Sequence, residues 1–174
     1  MRRIVFPLAI LVSLASPAAV LAAKDGPSDG TLVVKHGAAP VDGAGKAPVV
    51  RLTITGSVIG QVTGYGKIIV DGGPKSPPAE VTGAGAGHDS TLSDTATVWN
   101  GDADGFKFRA VGGKYTIVIF GGDVSLFAIG TGNAVLTGTP DSTTDGTYSL
   151  NGDDPKPLKA APTGTLLIGT GPSQ

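Results

Sequence analysis

The stretch "WNGDADGF", Trp99 to Phe106, sets Asn100, Asp102 and Asp104 at alternate positions ahead of Gly105. A calcium loop supplies oxygen ligands from positions one, three and five and turns sharply at a glycine. Asn100, Asp102 and Asp104 are therefore the candidate calcium ligands. The closing carboxylate is missing, because position twelve is Val111 and nothing acidic lies between Gly105 and Asp123. A site would have to borrow Asp94, Asp141 or Asp145 from another loop, or hold water. The competing expectation is a turn in which these side chains bond their own backbone.

Other reactive groups are sparse. His36 and His88 are the only histidines, and the chain has no cysteine. In "GHDSTLSD" His88, Asp89 and Ser90 are consecutive, whereas a serine-hydrolase triad converges from separate elements. No G-x-S-x-G elbow accompanies them. The aspartates of "TPDSTTDG" and "NGDDP" have the setting of turn caps rather than of a paired-carboxylate glycosidase. "IGTGNAV" begins like a dinucleotide fingerprint, but "NAVLTG" continues as strand where a helix is required. An aspartate-based hydrolase thus ranks third among the functions considered, and no catalytic residue is assigned.

The segments that must position these groups are strands. Glu80 is the only glutamate and glycine occurs 28 times, so turn and strand formers outweigh helix formers. Apolar and polar residues alternate in "TLVVKHG", "VVRLTITG", "SVIGQVTG", "KIIVDG", "FKFRAVGG", "KYTIVIFGG", "DVSLFAIG" and "NAVLTG". "GFKFRAVGGKYTIVIFG" is expected to be a hairpin turning at Gly112-Gly113, with Phe108 facing Ile117. The tail adds "GTYSLNG" and "GTLLIGTG" as edge strands within residues 146–168.

These strands repeat. "TLVVKHG" matches "TATVWNG" at an offset of 64, "VVRLTITG" matches "KYTIVIFG" at 65, and "SVIGQVTGYGKIIVDG" matches "DVSLFAIGTGNAVLTG" at 66. Residues 31–71 and 95–137 are thus two similar units, joined by a Gly/Pro/Ser-rich connector, 72–94, expected to be a loop or flexible link. The expected fold is all-β, an internally duplicated antiparallel sandwich or barrel, with a β-solenoid as the alternative. In the duplicate, Asn100, Asp102 and Asp104 fall on His36, Ala38 and Pro40, so the fold does not require the carboxylates.

The "GG-x-Y" strand (Gly112 to Tyr115), the "G-x-G-x-V-x-L-x-G" strand (Gly130 to Gly138) and the "G-x-Y-S-x-N-G" tail (Gly146 to Gly152) resemble those of secreted, glycine-rich β proteins from uncharacterised open reading frames of actinobacteria. The resemblance spans most of the chain after the leader. It implies a secreted β protein and lends no functional residues.

The amino terminus has the order of a secretory leader: Arg2 and Arg3, the apolar "IVFPLAILVSL", then the small residues of "SPAAVLAA". Cleavage is expected after Ala22, leaving 23–174 as a single extracellular all-β domain without a membrane span. Without Arg2 and Arg3, 11 basic residues stand against 14 acidic ones. So weak and acidic a balance, with scattered lysines, argues against nucleic acid as partner.

One asymmetry between the units marks a surface. Where the first carries Arg51, Thr53 and Thr55, the second carries Thr116, Val118 and Phe120. Val118 and Phe120 are expected either to lie under the tail strands or to meet an extracellular protein partner or a second copy. The expected function is a secreted, non-enzymatic structural or interaction module acting through its surface, and the alternative is a calcium-dependent binding module.

Overall fold

The computed structural model describes residues 28–38, 47–83, 88–91, 93–138, 146–159 and 162–169. The leader and its cleavage point lie outside these residues, as do Asp141 and Asp145. Every regular element described is a strand: β1 (Gly30–Gly37), β2 (Val50–Val62), β3 (Gly66–Gly72), β4 (Glu80–Thr82), β5 (His88–Thr91), β6 (Ala96–Gly101), β7 (Phe106–Gly121), β8 (Val124–Leu136), β9 (Thr147–Leu150), β10 (Lys156–Pro157) and β11 (Leu166–Ile168). No helix among the described residues is long and apolar enough to cross a membrane.

Three long strands form the centre. β2 pairs antiparallel with β7 from Val50↔Ile119 to Val62↔Phe106, and with β8 from Val50↔Leu136 to Val62↔Val124. The remaining strands each extend only one half of this ribbon. β3 lies on the second half of β7 and is followed outward by β6 and β5, while β11 lies on the second half of β8. β1 lies on the first half of β8 and is followed by β9 and β10, while β4 lies on the first half of β7.

At the border between the β3 half and the β1 half, Gly56 faces Gly130. Their φ angles are 150° and 141°, and a Cβ on either would overlap a carbonyl oxygen of the opposite strand. Only glycine takes that backbone shape without strain. On β7 the border is a bulge, since Gly56 pairs with Gly113 and Val58 with Ala110, leaving Ser57 opposite both Val111 and Gly112. Gly112 has φ 68°, and its N–H donates to Ser57 Oγ over 3.2 Å. A bulge bends its strand and adds twist, so the three strands turn together. Val62 and Phe106 of the β1 half then lie on the backbones of Gly66, Gly101 and Gly121 in the β3 half. The result is a sandwich-like fold in which strands cross from one layer to the other. The outermost strands β5 and β10 do not pair with each other, so the sheet is open and not a barrel. Its antiparallel ladders between distant segments also exclude the stacked coils of a solenoid.

Alternation then fills the core. Val50, Leu52, Ile54, Val58 and Val62 of β2 are buried at even numbers. On β7 the bulge shifts the phase, so that Phe106, Phe108 and Ala110 share the inner face with Tyr115, Ile117 and Ile119. The bulge also replaces the expected hairpin. A two-residue I′ turn needs positive φ at both central residues, and here Gly112 alone has it, so β7 runs straight through Gly112-Gly113. Similarly, the connector 72–94 is not simply a loop: β4 pairs with β7 and β5 with β6.

The strand order β1-β8-β2-β7-β3-β6 reads the same from either end when β1 is exchanged with β6, β2 with β7 and β3 with β8. The register of this exchange differs from the one read by matching segments. Gly64 lies in the turn between β2 and β3, yet its sequence match Gly130 lies inside β8. In the ladders Ile119, between Val50 and Ile68, takes the place of Gly60, between Phe108 and Leu126. Glycine serves both a turn and a mid-strand bend, so matching glycines aligned unlike places.

Candidate interaction surface

The "WNGDADGF" stretch closes on itself. Asn100 is the penultimate residue of β6, in register with Lys67, and after Gly101 a turn follows in which Asp104 N–H donates to Asp102 Oδ1 (3.0 Å) and Gly105 N–H to Asp102 O (3.1 Å). Asn100 borders a recess with Tyr65, Lys67 and Phe120, whereas Asp104 borders another with Gln61, Thr63 and Lys107. Asp94 lies at a third place, beside the connector. Among the described residues no group of three or more His, Asp or Glu side chains is placed to hold a metal ion.

His36 makes an acid–base contact. Its Nδ1 lies 3.2 Å from Asp123 Oδ1, and its backbone N–H donates to Ser125 Oγ. That serine meets the backbone rather than the imidazole ring, and the histidine side chain is 75% exposed. The contact is a solvated pair, not an oriented triad. His88, Asp89 and Ser90 are adjacent residues of β5.

Val118 and Phe120 lie half-buried on the outer face of the β3 half. Val118 is in register with Arg51 on β2 and Ile69 on β3, and that row continues to Val135 and Val98. Lys67 Nζ stands over the Phe120 ring, 5.4 Å from its centre. Among the described residues, the tail strands pair with sheet edges instead of crossing this face. Strands β9 and β11 bond to the edges of β1 and β8 and extend the sheet in its own plane.

A second outer surface, on the β1 half, combines residues that no local pattern joins. Val33, Phe127, Ile59 and Arg109 form one cross-strand row over β1, β8, β2 and β7, and Glu80 of β4 completes it. Lys107 pairs with Gln61 and Gln61 with Ser125 in the next row, with Lys35 of β1 alongside. Together they line an open groove of about 630 Å³. Its floor is apolar, and Ile59 is 39% exposed there. Arg109 Nε lies 3.6 Å from Glu80 Oε2, an exposed pair that screening makes weak. Lys35 and Lys107 have no carboxylate within ion-pair distance among the described residues. Neighbouring strands are about 4.8 Å apart, so these two lysines flank a floor about 14 Å wide.

No family model matches this chain, and no curated protein and no solved structure is significantly similar to it.

Proposed function

We propose that this protein is a secreted, non-catalytic interaction module, and that it works through the groove on the β1 half. The partner class is an extended polypeptide segment presenting acidic and apolar side chains in alternation. The observation that carries this reading is the row Val33, Phe127 and Ile59 beside Lys35 and Lys107. An open, shallow, apolar floor rimmed by unpaired cations suits a macromolecular segment better than a small molecule, which favours enclosed pockets. Its titratable residues support binding over catalysis, since the histidine–aspartate pair is exposed and, among the described residues, has no hydroxyl on its ring.

A designed peptide alternating aspartate and leucine is the probe, with a lysine–leucine peptide as control. Fluorescence anisotropy is expected to show preference for the acidic peptide, weakened by salt and by Lys35→Glu with Lys107→Glu. Equal binding of both peptides, or an unaffected double variant, would overturn the assignment. Secretion is tested separately: the exported protein is expected to begin at Ala23 on amino-terminal sequencing, and retention of the leader would refute it.

A further inference from the structure

A narrower cavity of about 300 Å³ lies between the inner face of β6 and the proline-bearing connector that follows β3. Alternation along β6 puts Thr97 and Trp99 on that face, in register with Val70 and Ile68. Pro74, Pro77 and Pro78 form the opposite wall, and Asp94 stands at the Ala96 end of the strand. At about 3.3 Å per residue, Thr95 to Trp99 spans roughly 13 Å, so the cavity is a slot and not a round pocket.

Most of its polar groups are already engaged. Ser76 Oγ donates to Lys114 O and accepts from Lys114 N–H, both over 2.9 Å. Tyr115 Oη lies 2.9 Å from Pro77 O and 3.1 Å from Val111 O, which occupies its single proton. Among the described residues, the Asp94 carboxylate and the Thr97 hydroxyl have no protein partner, and Asp94 is the only charged side chain of the lining.

We infer that this slot binds a short neutral carbohydrate segment, about two sugar rings long by the span above. One ring lies with its C–H face against Trp99, and Thr97 and Asp94 hydrogen-bond hydroxyls of the next. A carboxylate with no cation in the lining disfavours an anionic ligand. A lone ammonium is poorly matched, because Asp94 and Trp99 sit at opposite ends. A purely apolar ligand would leave the two free polar groups desolvated without partners. The site is independent of the groove on the β1 half, so the two proposals fail separately.

Trp99 is the only tryptophan in the chain, so its emission reports on the slot directly. The full-length protein is titrated with cellobiose, maltose and N,N′-diacetylchitobiose, with choline and a sulfated disaccharide as controls. The expected result is a saturable emission change with at least one neutral disaccharide in the millimolar range. Asp94→Ala and Thr97→Val are each expected to weaken it about tenfold, as loss of one charged or well-placed hydrogen bond does. Lys35→Glu, in the groove, is expected to leave it unchanged. Calorimetry on Trp99→Phe checks that ring contact, and not the fluorophore alone, is lost. No response to any of the three sugars, response to choline or the sulfated sugar alone, or titrations unchanged in Asp94→Ala and Thr97→Val would each overturn the inference.

Discussion

Gly56 and Gly130 face each other across the β2/β8 ladder, and neither position has room for a side chain. Their mutual closeness lets the long strands pass from one half of the sandwich to the other. A methyl group at either position must push back opposing backbone, which has nowhere to go, and must also hold a strained φ. Gly56→Ala and Gly130→Ala are each expected to lose about 3 kcal/mol or more in urea unfolding. Gly122 has open space around it, and Gly122→Ala is expected to stay within about 0.5 kcal/mol. Equal effects at all three sites would remove the bend from its central role.

Tyr115 predicts an alkaline limit to stability. Its side chain is almost wholly buried, and burial raises the pKa of the hydroxyl above its ordinary value of 10.0, against a smaller lowering from the backbone at Val111. A group whose folded pKa is raised contributes stability that is complete below the unfolded pKa and is lost as pH rises through the folded one. Stability is therefore expected to fall with pH above about 10, where the unfolded chain sheds this proton first. Tyr115→Phe is expected to cost about 1 kcal/mol at neutral pH and to show a shallower alkaline decline than wild type. Parallel declines in chemical denaturation from pH 8 to 11 would refute the assignment.

The range of each interaction decides how far the fold can be read from the sequence. The all-β class and the alternation of faces along each strand follow from local sequence, and Leu52, Ile68 and Ile117 fall on the buried face. Long-range pairing does not follow from it. A glycine pair reads as a turn wherever local sequence is the only guide, yet β2 offers β7 a ladder along its whole length and turns Gly112-Gly113 into a bulge. The groove stayed hidden for the same reason: Val33, Ile59, Arg109 and Phe127 become neighbours only through strand order. Trp99 and Tyr115 lie on different strands, β6 and β7, and share one cavity.

The described tail residues contribute edges and core. Leu158 and Ile168 are buried, β9 pairs with β1 and β11 with β8. Truncation after Gly138 is expected to bare both edges and to produce aggregation or binding of a hydrophobic dye. Substituting Val118 and Phe120 by threonine in the truncated chain is expected to leave that behaviour in place, because the newly exposed surface lies elsewhere. Rescue by those substitutions would show that the tail shields the outer face after all.

Calcium is not expected to bind at Asn100, Asp102 and Asp104. Asp102 already accepts the Asp104 N–H, and Asn100 and Asp104 border different recesses. To form a shared site the turn would have to give up its own bonds and draw Asn100 off the end of β6. An ion that binds only the folded state raises stability by RT ln(1 + [L]/Kd), on the order of 1 kcal/mol for a weak extracellular site at millimolar calcium. That corresponds to a few degrees in melting temperature, well within measurement. Wild type is expected to melt at the same temperature in calcium and in chelator. Asp102→Ala, which removes the acceptor for Asp104 N–H, is expected to lose about 1 kcal/mol under both conditions. A calcium-dependent rise in wild type that vanishes in Asp102→Asn with Asp104→Asn would instead establish the loop as a metal site. A rise that persists in that double variant would place the ion elsewhere in the chain.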